Sequence, residues 1–258
     1  LENKHVFNDI ISDYAIARPG YPTELFRDIV EYSMVTSDSS VLEIGSGPGQ
    51  ATDYFVKNGY PITGLELGEN QVEYLLDKYC TYENFNALPL SFEDFHTKPE
   101  IYNLIFSATA FHWVKPEVGY PKGYNLLKKN GVMAVFWHLG SIIEPKTEMQ
   151  DQIRKIYRKY APELDDYISL DEAEDLHKLR ISQIQTNNLF SNPVHKVYRW
   201  NDEYTTDRYL RLMNSYSDFH SIDKDKRKAI LDEVRDYIDS NGANITVPQE
   251  VRLYMARK

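Results

Sequence analysis

Between Val41 and Gln50 the chain reads V-L-E-I-G-S-G-P-G-Q, with an acid, Glu43, just ahead of three glycines at alternate positions, Gly45, Gly47 and Gly49. Alternate glycines let the backbone take φ > 0 and let a small polar ligand lie against bare main chain. Pro48 pre-sets φ for the first turn of a following helix. An apolar strand therefore runs into a loop and a helix N-terminus, and the loop is expected to offer its backbone groups to a ligand. The dinucleotide fingerprint G-x-G-x-x-G requires its third glycine at position 50, where Gln50 stands. A second acid, Glu66, closes the run Pro61 to Glu66, which reads as the next strand. In a doubly wound sheet the ligand lies beyond the carboxyl ends of the strands, so Glu66 is placed to accept both hydroxyls of a ribose. The other reading, which coincidence with the glycine loop disfavours, is an acid flanking the helix predicted over Gln71 to Lys78. His112 and His138 follow two further apolar strands and are the candidate general bases, with packed, hydrogen-bonded histidines as the other reading.

The elements that must hold these residues alternate. A helical run with Leu25, Phe26, Ile29 and Val30 on one face, capped by Thr23, precedes the first strand. Ala51 to Asn58 is a short helix stopped by Gly59, and Asn84 to Leu90 is a third strand. Ile101 to Thr109 is nearly all apolar, as a central parallel strand buried on both faces should be. Lys115 to Lys128 mixes helix and turn signals around Gly119 and Gly123; Leu126 to Gly131 reads as a helix end closed by glycine, and Val132 to Trp137 as strand five. From about 141 to 190 helix takes over. Pro145 is expected to open a helix with Met149, Ile153, Ile156, Tyr157 and Tyr160 as its stripe, and a second helix lies near Leu170 to Arg180. The stretch reads as a lid on the ligand edge of the sheet, or as a packing subdomain. Val194 to Trp200, helices over Thr206 to Tyr216 and Lys226 to Asp239, and a strand over Asn244 to Arg257 with a turn or edge at Pro248 complete the chain.

With 258 residues, the chain can bury about 70 to 75% of its unfolded surface. It reads as one domain over residues 1–258 with an N-terminal cap over about 1–38. Lys+Arg 29 against Asp+Glu 39 leaves a net charge of −10, which repels a phosphate backbone, so nucleic acid is not an expected partner. The single cysteine, Cys80, forms no intrachain disulfide and suits a reducing, cytoplasmic setting. No metal site and no membrane partner are expected, and oligomeric state is not legible.

In order, these features resemble a class I S-adenosylmethionine (SAM)-dependent methyltransferase of the type 11 group, which includes trans-aconitate methyltransferase. The residues that carry the likeness are Tyr14 with Arg18-Pro19-Gly20-Tyr21-Pro22, Val41 to Gln50, and Ala110-Phe111-His112-Trp113. The resemblance implies an α/β fold, a doubly wound and mostly parallel seven-stranded Rossmann-like sheet with an inserted helical lid. It implies SAM as cofactor, with contacts at Tyr14, Arg18, Glu43, Gly45, Ser46, Gly47, Gly49, Glu66, Leu67 and Ser107. Phe92 and Glu93 would meet the adenine, although Ser91 stands where the group commonly has an acid. Arg18 would grip a carboxylate, or Pro19 and Gly20 would simply make a rigid turn.

Methyl transfer from a sulfonium is an in-line displacement in which the protein aligns two partners and excludes water. His112, His138 and Trp113 are the expected catalytic-side residues, and a small molecule, possibly a carboxylate, is the expected acceptor. A nucleotide-dependent oxidoreductase and an inactive SAM-binding protein are the alternatives.

Overall fold

The computed structural model describes residues 17–139, 147–162, 169–216 and 218–258. Helix α1 (Thr23–Ser33) leads into strand β1 (Val41–Ile44), α2 (Thr52–Lys57), β2 (Ile62–Glu66), α3 (Glu69–Lys78) and β3 (Phe85–Pro89). Strand β4 (Tyr102–Ala108) is followed by a 3-10 turn (Phe111–Trp113), α4 (Pro116–Leu126) and β5 (Leu127–His138). Then come α5 (Glu148–Tyr160), α6 (Leu170–Ile184), β6 (Ser191–Thr205), α7 (Thr206–Asn214), α8 (Lys224–Ser240) and β7 (Asn244–Arg257). The seven strands lie in the order β3-β2-β1-β4-β5-β7-β6. The pairs β1/β2, β1/β4, β2/β3 and β4/β5 are parallel, whereas β5 and β7 run antiparallel from Val132 opposite Arg257 to His138 opposite Val251. This is the mixed, mostly parallel Rossmann-like sheet of the methyltransferase fold, as expected.

The chain divides into two compact units. The sheet unit comprises residues 20–138, 171–198 and 251–258. One face of its sheet carries a chain of aromatic rings, because Glu43 and Phe106 are in register and alternate residues share a face. Phe106 stacks on Phe55 at 4.6 Å and lies 6.4 Å from Phe136, while Phe26 stacks on Tyr54 at 4.8 Å. Elsewhere in this unit α4 approaches its neighbours through its glycines. A Cβ at Gly119 would fall 2.7 Å from Phe111, and one at Gly123 would fall 3.0 Å from Met133 Sδ.

The helical unit comprises residues 1–19, 139–170 and 199–250, of which the described part is built on α5, α7 and α8. Ile153 and Ile156 of α5 pack in one cluster with Leu210 and Met213 of α7 and Ile230, Val234 and Ile238 of α8, which is the stripe expected from 3.6-residue spacing. The two helices read as one lid thus fall in different units: α5 in the helical one, α6 in the sheet one.

Several boundaries differ from the sequence reading. Thr23 does not cap α1; Pro22 occupies the cap position and no side chain bonds there. The mixed signals of residues 115–128 resolve into a continuous helix, since small residues are what allow its close packing. That helix ends at Leu126, not near Gly131. Leu127 is already extended and pairs with Tyr102, and the left-handed residue is Asn130 (φ 63), inside a register shift between β4 and β5. Strand β7 runs unbroken through Pro248, which lies past the end of the β5 pairing at Val251 and so forfeits no bond to β5. Pro145 lies outside the described residues, and Thr147 caps α5. Thr147 Oγ1 accepts from Gln150 N at 3.1 Å while Gln150 Oε1 accepts from Thr147 N at 3.0 Å, a reciprocal capping box. Thr147→Ala should therefore lower stability by about 1 kcal/mol, measured as a fall in urea midpoint at constant slope.

Candidate active site

Strand β1 carries Glu43 into the protein interior, where it is fully buried. Its Oε2 accepts a 2.5 Å bond from Thr52 Oγ1 on α2, while Oε1 has no hydrogen-bond partner among the described residues. Burial pushes the Glu43 carboxyl up to about 8; the Thr52 and Ser46 hydroxyls oppose the rise, and the Glu66 charge adds to it. Near neutral pH Glu43 is therefore mainly protonated.

The glycine loop beyond it takes the left-handed backbone that its sequence demands, with φ of 72° at Gly45, 51° at Gly47 and 85° at Gly49. Its amides, however, are already used by the protein. Gly45 N and Ser46 N donate to Leu65 O, Gly49 N donates to Ser46 O, and Gly47 N donates to Glu66 Oε2 at 2.8 Å. The expectation that the loop presents free amides is corrected accordingly, and α2, at six residues, is too short to add a dipole of note. The outer half of the loop is clamped by α3 and the residue after it: Lys78 Nζ donates to Pro48 O at 3.1 Å and Tyr79 Oη to Gly49 O at 3.0 Å.

Glu66 braces the same loop from the end of β2. Besides Gly47 N, its carboxylate accepts from Leu67 N at 2.7 Å and Gly68 N at 3.4 Å. A carboxylate has about four acceptor positions, so capacity remains for hydroxyl donors of a ligand.

At the ends of β4 and β5 a second group gathers. Gly45 packs so closely on Ala110 that an added Cβ would lie 2.4 Å from the Ala110 Cβ, which joins the glycine loop directly to the Ala110-Phe111-His112-Trp113 segment. Thr109, in left-handed backbone (φ 54), accepts from His138 N at 3.1 Å and shares a 2.9 Å bond with Tyr21 Oη. The Tyr21 ring stands 5.5 Å from the His138 ring. Trp137 Nε1 donates to His112 Nδ1 at 3.2 Å. An indole N–H can only donate, so Nδ1 keeps its lone pair and the His112 proton sits on Nε2. Loss of hydration, with the Arg180 guanidinium nearby, holds the His112 pKa down at about 4. The residue still keeps exposed surface, so the crowding acts on part of the ring only.

Among the other expected contacts, Ser107 is buried and donates to Ile44 O at 2.7 Å, tying β4 to β1. Phe92 is buried, 6.5 Å from Phe111, with Lys122 Nζ 5.4 Å over its ring; Lys122 also donates to Glu93 O at 2.9 Å. Ser91, where an acid was looked for, instead accepts from Asp94 N and organises the turn. Arg18 belongs to the helical unit, donates to Ser215 Oγ at 3.0 Å and lies 4.0 Å over the Tyr216 ring. Tyr14 lies outside the described residues. Sequence reasoning missed Tyr21 and Thr109 as a pair, and Trp137 and Arg180 as neighbours of His112. The Trp137-His138 step at a strand end was the one available signal.

The sheet order β3-β2-β1-β4-β5-β7-β6 is that of the Rossmann-like methyltransferase fold. Residues 42–135 match the family model of the type 11 methyltransferase domain, and this chain is a SAM-dependent methyltransferase carrying that domain. It is similar to an uncharacterized methyltransferase-like protein of Schizosaccharomyces pombe, with 27% identity over 88% of this chain and 85% of that one. It also resembles the probable S-adenosylmethionine-dependent methyltransferase CRG1 of Saccharomyces cerevisiae, at 29% identity over 57% of this chain and 50% of that one. Its fold matches that of Haemonchus contortus phosphoethanolamine N-methyltransferase 2, solved with phosphomonomethylethanolamine and S-adenosylhomocysteine. There the TM-score is 0.53 at 12% identity, covering 97% of this chain and 57% of that one. Among the described residues no helix is long and apolar enough to cross a membrane.

The residues present fit SAM: space lies open beside Gly47, where nothing stands within 4 Å of a built Cβ, and Glu43 Oε1 still lacks a partner. Glu43 also yields a stability test. Its folded pKa, about 8, lies above its ordinary value of 4.5, so its contribution is complete below pH 4.5 and is lost as pH rises to 8. Wild-type unfolding temperature should fall more between pH 5 and pH 8 than that of Glu43→Gln, whose amide does not titrate. Parallel pH profiles of the two proteins would mean that Glu43 is ionised in the fold.

Proposed function

We propose that this chain transfers the methyl group of SAM to a carboxylate oxygen of a small-molecule acid, the acceptor type that names the trans-aconitate methyltransferases. The carrying observation is the His112 tautomer. With Nδ1 bonded to the Trp137 N–H and the proton on Nε2, His112 presents a donor rather than a lone pair, and its low pKa makes it a poor base. A carboxylate needs no base because it is ionised at neutral pH, whereas an alcohol or amine would. The net charge of −10 favours a small molecule over nucleic acid as the acceptor.

In this reading Glu43, Gly45, Ser46, Gly47, Gly49, Glu66 and Leu67 hold the cofactor, with Phe92 and Glu93 towards its adenine. When bound, SAM supplies a sulfonium methyl that needs only an aligned nucleophile. Glu66 orients the ribose while keeping the loop in shape, and Ser107 holds β4 and β1 in step beneath it. Thr109 fixes His138 and Tyr21 at the ends of β5 and β4, where they and Trp113 wall the acceptor side and exclude water. With an ionised carboxylate as acceptor, SAM would supply the methyl group and leave as S-adenosylhomocysteine with the carbon–sulfur electron pair, and no side chain of this protein would have to take up a proton.

Calorimetry should show binding of SAM and S-adenosylhomocysteine and none of NAD, and Glu66→Ala should weaken SAM by about 1.5 to 3 kcal/mol. A screen of small acids, phenols and amines with labelled SAM tests the acceptor. Turnover should appear on acids and persist in His138→Ala; activity confined to amines, phenols or RNA would refute the carboxylate reading.

A further inference from the structure

Arg180 of α6 is a half-buried cation. Its guanidinium lies 4.1 Å over the Trp137 ring, and Nη1 donates to the neutral Gln183 Oε1 at 3.0 Å. Among the described residues no carboxylate comes within ion-pair distance of it. Loss of hydration lowers its pKa, and the titratable side chains that act on it are the neutral phenols of Tyr120 on α4 and Tyr254 on β7. Removing an arginine from water without a paired anion is costly, and the described residues supply none, so the guanidinium is placed to receive negative charge.

A second observation points the same way. Tyr120 is only 1% exposed, yet its hydroxyl has no hydrogen-bond partner among the described residues, and the Arg180 charge reaches it. Buried hydroxyls are ordinarily bonded, so an orphan beside an uncompensated guanidinium marks a place for an acceptor atom. His112 adds a third donor to the same neighbourhood. Arg180 acts on its ring, Trp137 lies against both, and the tautomer leaves Nε2–H available. The groups belong to five separate elements, the turn after β4, α4, β5, α6 and β7, all within the sheet unit.

We propose that Arg180, Tyr120 Oη and His112 Nε2–H form a carboxylate-binding subsite that anchors a second acidic group of the methyl acceptor. Stacking on Trp137 holds the guanidinium plane, which leaves its remaining N–H groups to meet a carboxylate as a fork. An acceptor with two carboxylates is then held by one while the other is methylated, so Arg180 selects dicarboxylates over monocarboxylates. The subsite depends on the methyl-transfer reading for its role but not for its affinity, and the two can fail separately.

The test titrates the full chain, saturated with S-adenosylhomocysteine, with succinate and, in a parallel arm, with inorganic phosphate. Binding is followed by calorimetry and by the fluorescence of Trp137, which the guanidinium covers. Wild type should bind succinate saturably with a tryptophan signal. Arg180→Met should lose at least about tenfold in succinate affinity and Arg180→Lys less, because lysine keeps the charge without the fork. Tyr120→Phe, which preserves packing, should lose affinity severalfold with an unchanged unfolding temperature. All three variants should bind S-adenosylhomocysteine as wild type does. Failure of wild type to bind succinate, equal binding by Arg180→Met, or tighter binding of phosphate than of succinate would each overturn the carboxylate subsite. Loss of S-adenosylhomocysteine binding in wild type, with Arg180-dependent succinate binding intact, would instead overturn the methyltransferase reading and leave the subsite standing.

Discussion

The bond from Gly47 N to Glu66 is the contact on which the site depends, because it closes the gap between the ends of β1 and β2. Those strands are parallel neighbours joined through α2, and Leu65 O of β2 takes only the first two amides of the loop, those of Gly45 and Ser46, which leaves its further course to Glu66. A carboxylate that takes one amide from the loop and one from the start of the next connection sets the loop's curvature. A charged acceptor also strengthens each of those bonds beyond a neutral one. Glu66 therefore has structural work before any ligand arrives, and its remaining acceptor capacity is held in a fixed direction. Alignment of that kind is most of what in-line transfer asks of a protein.

Two acids one strand apart meet very different surroundings. Glu66 sits at a partly exposed strand end among backbone donors, while Glu43, two residues before the loop, is fully enclosed and driven towards its neutral form. Surroundings that drive one buried carboxyl towards its neutral form are a recurring sign of a functional site. They also divide the tasks: Glu66 shapes and receives, and Glu43 remains a buried reserve of polarity beneath the glycines.

The glycine loop, the two acids and the mostly parallel sheet were legible in the sequence because each is signalled locally, by spacing within a few residues of a strand end. What was not legible depends on partners far along the chain. The spare amides expected of Gly45 to Gly49 are consumed by Leu65 and Glu66, which spacing within the loop cannot reveal. The glycines of α4 looked like helix breakers because the gain that offsets them, close contact with Phe111 and Met133, is tertiary. The end of α4 was misplaced for a related reason: the left-handed turn fell to Asn130 while the adjacent Gly131, the stronger signal, was not needed for it. Arg180 gave no sign at all, since a basic residue on a polar helix face is the commonest thing a helix can carry.

Strand β7 sits between β5 and β6, although more than a hundred residues separate it from β5 in sequence. As the chain emerges from the ribosome, Val132 to Trp137, an entirely apolar run, has its β4 side paired early and its other edge bare. That edge waits on the order of ten seconds for residues 251–257 to be made. An apolar strand with an open edge is a template for the wrong partner. The antiparallel strand that completes the sheet is thus also a late-arriving cover, and the yield of this protein in a cell is coupled to how the newborn chain is shielded during that interval.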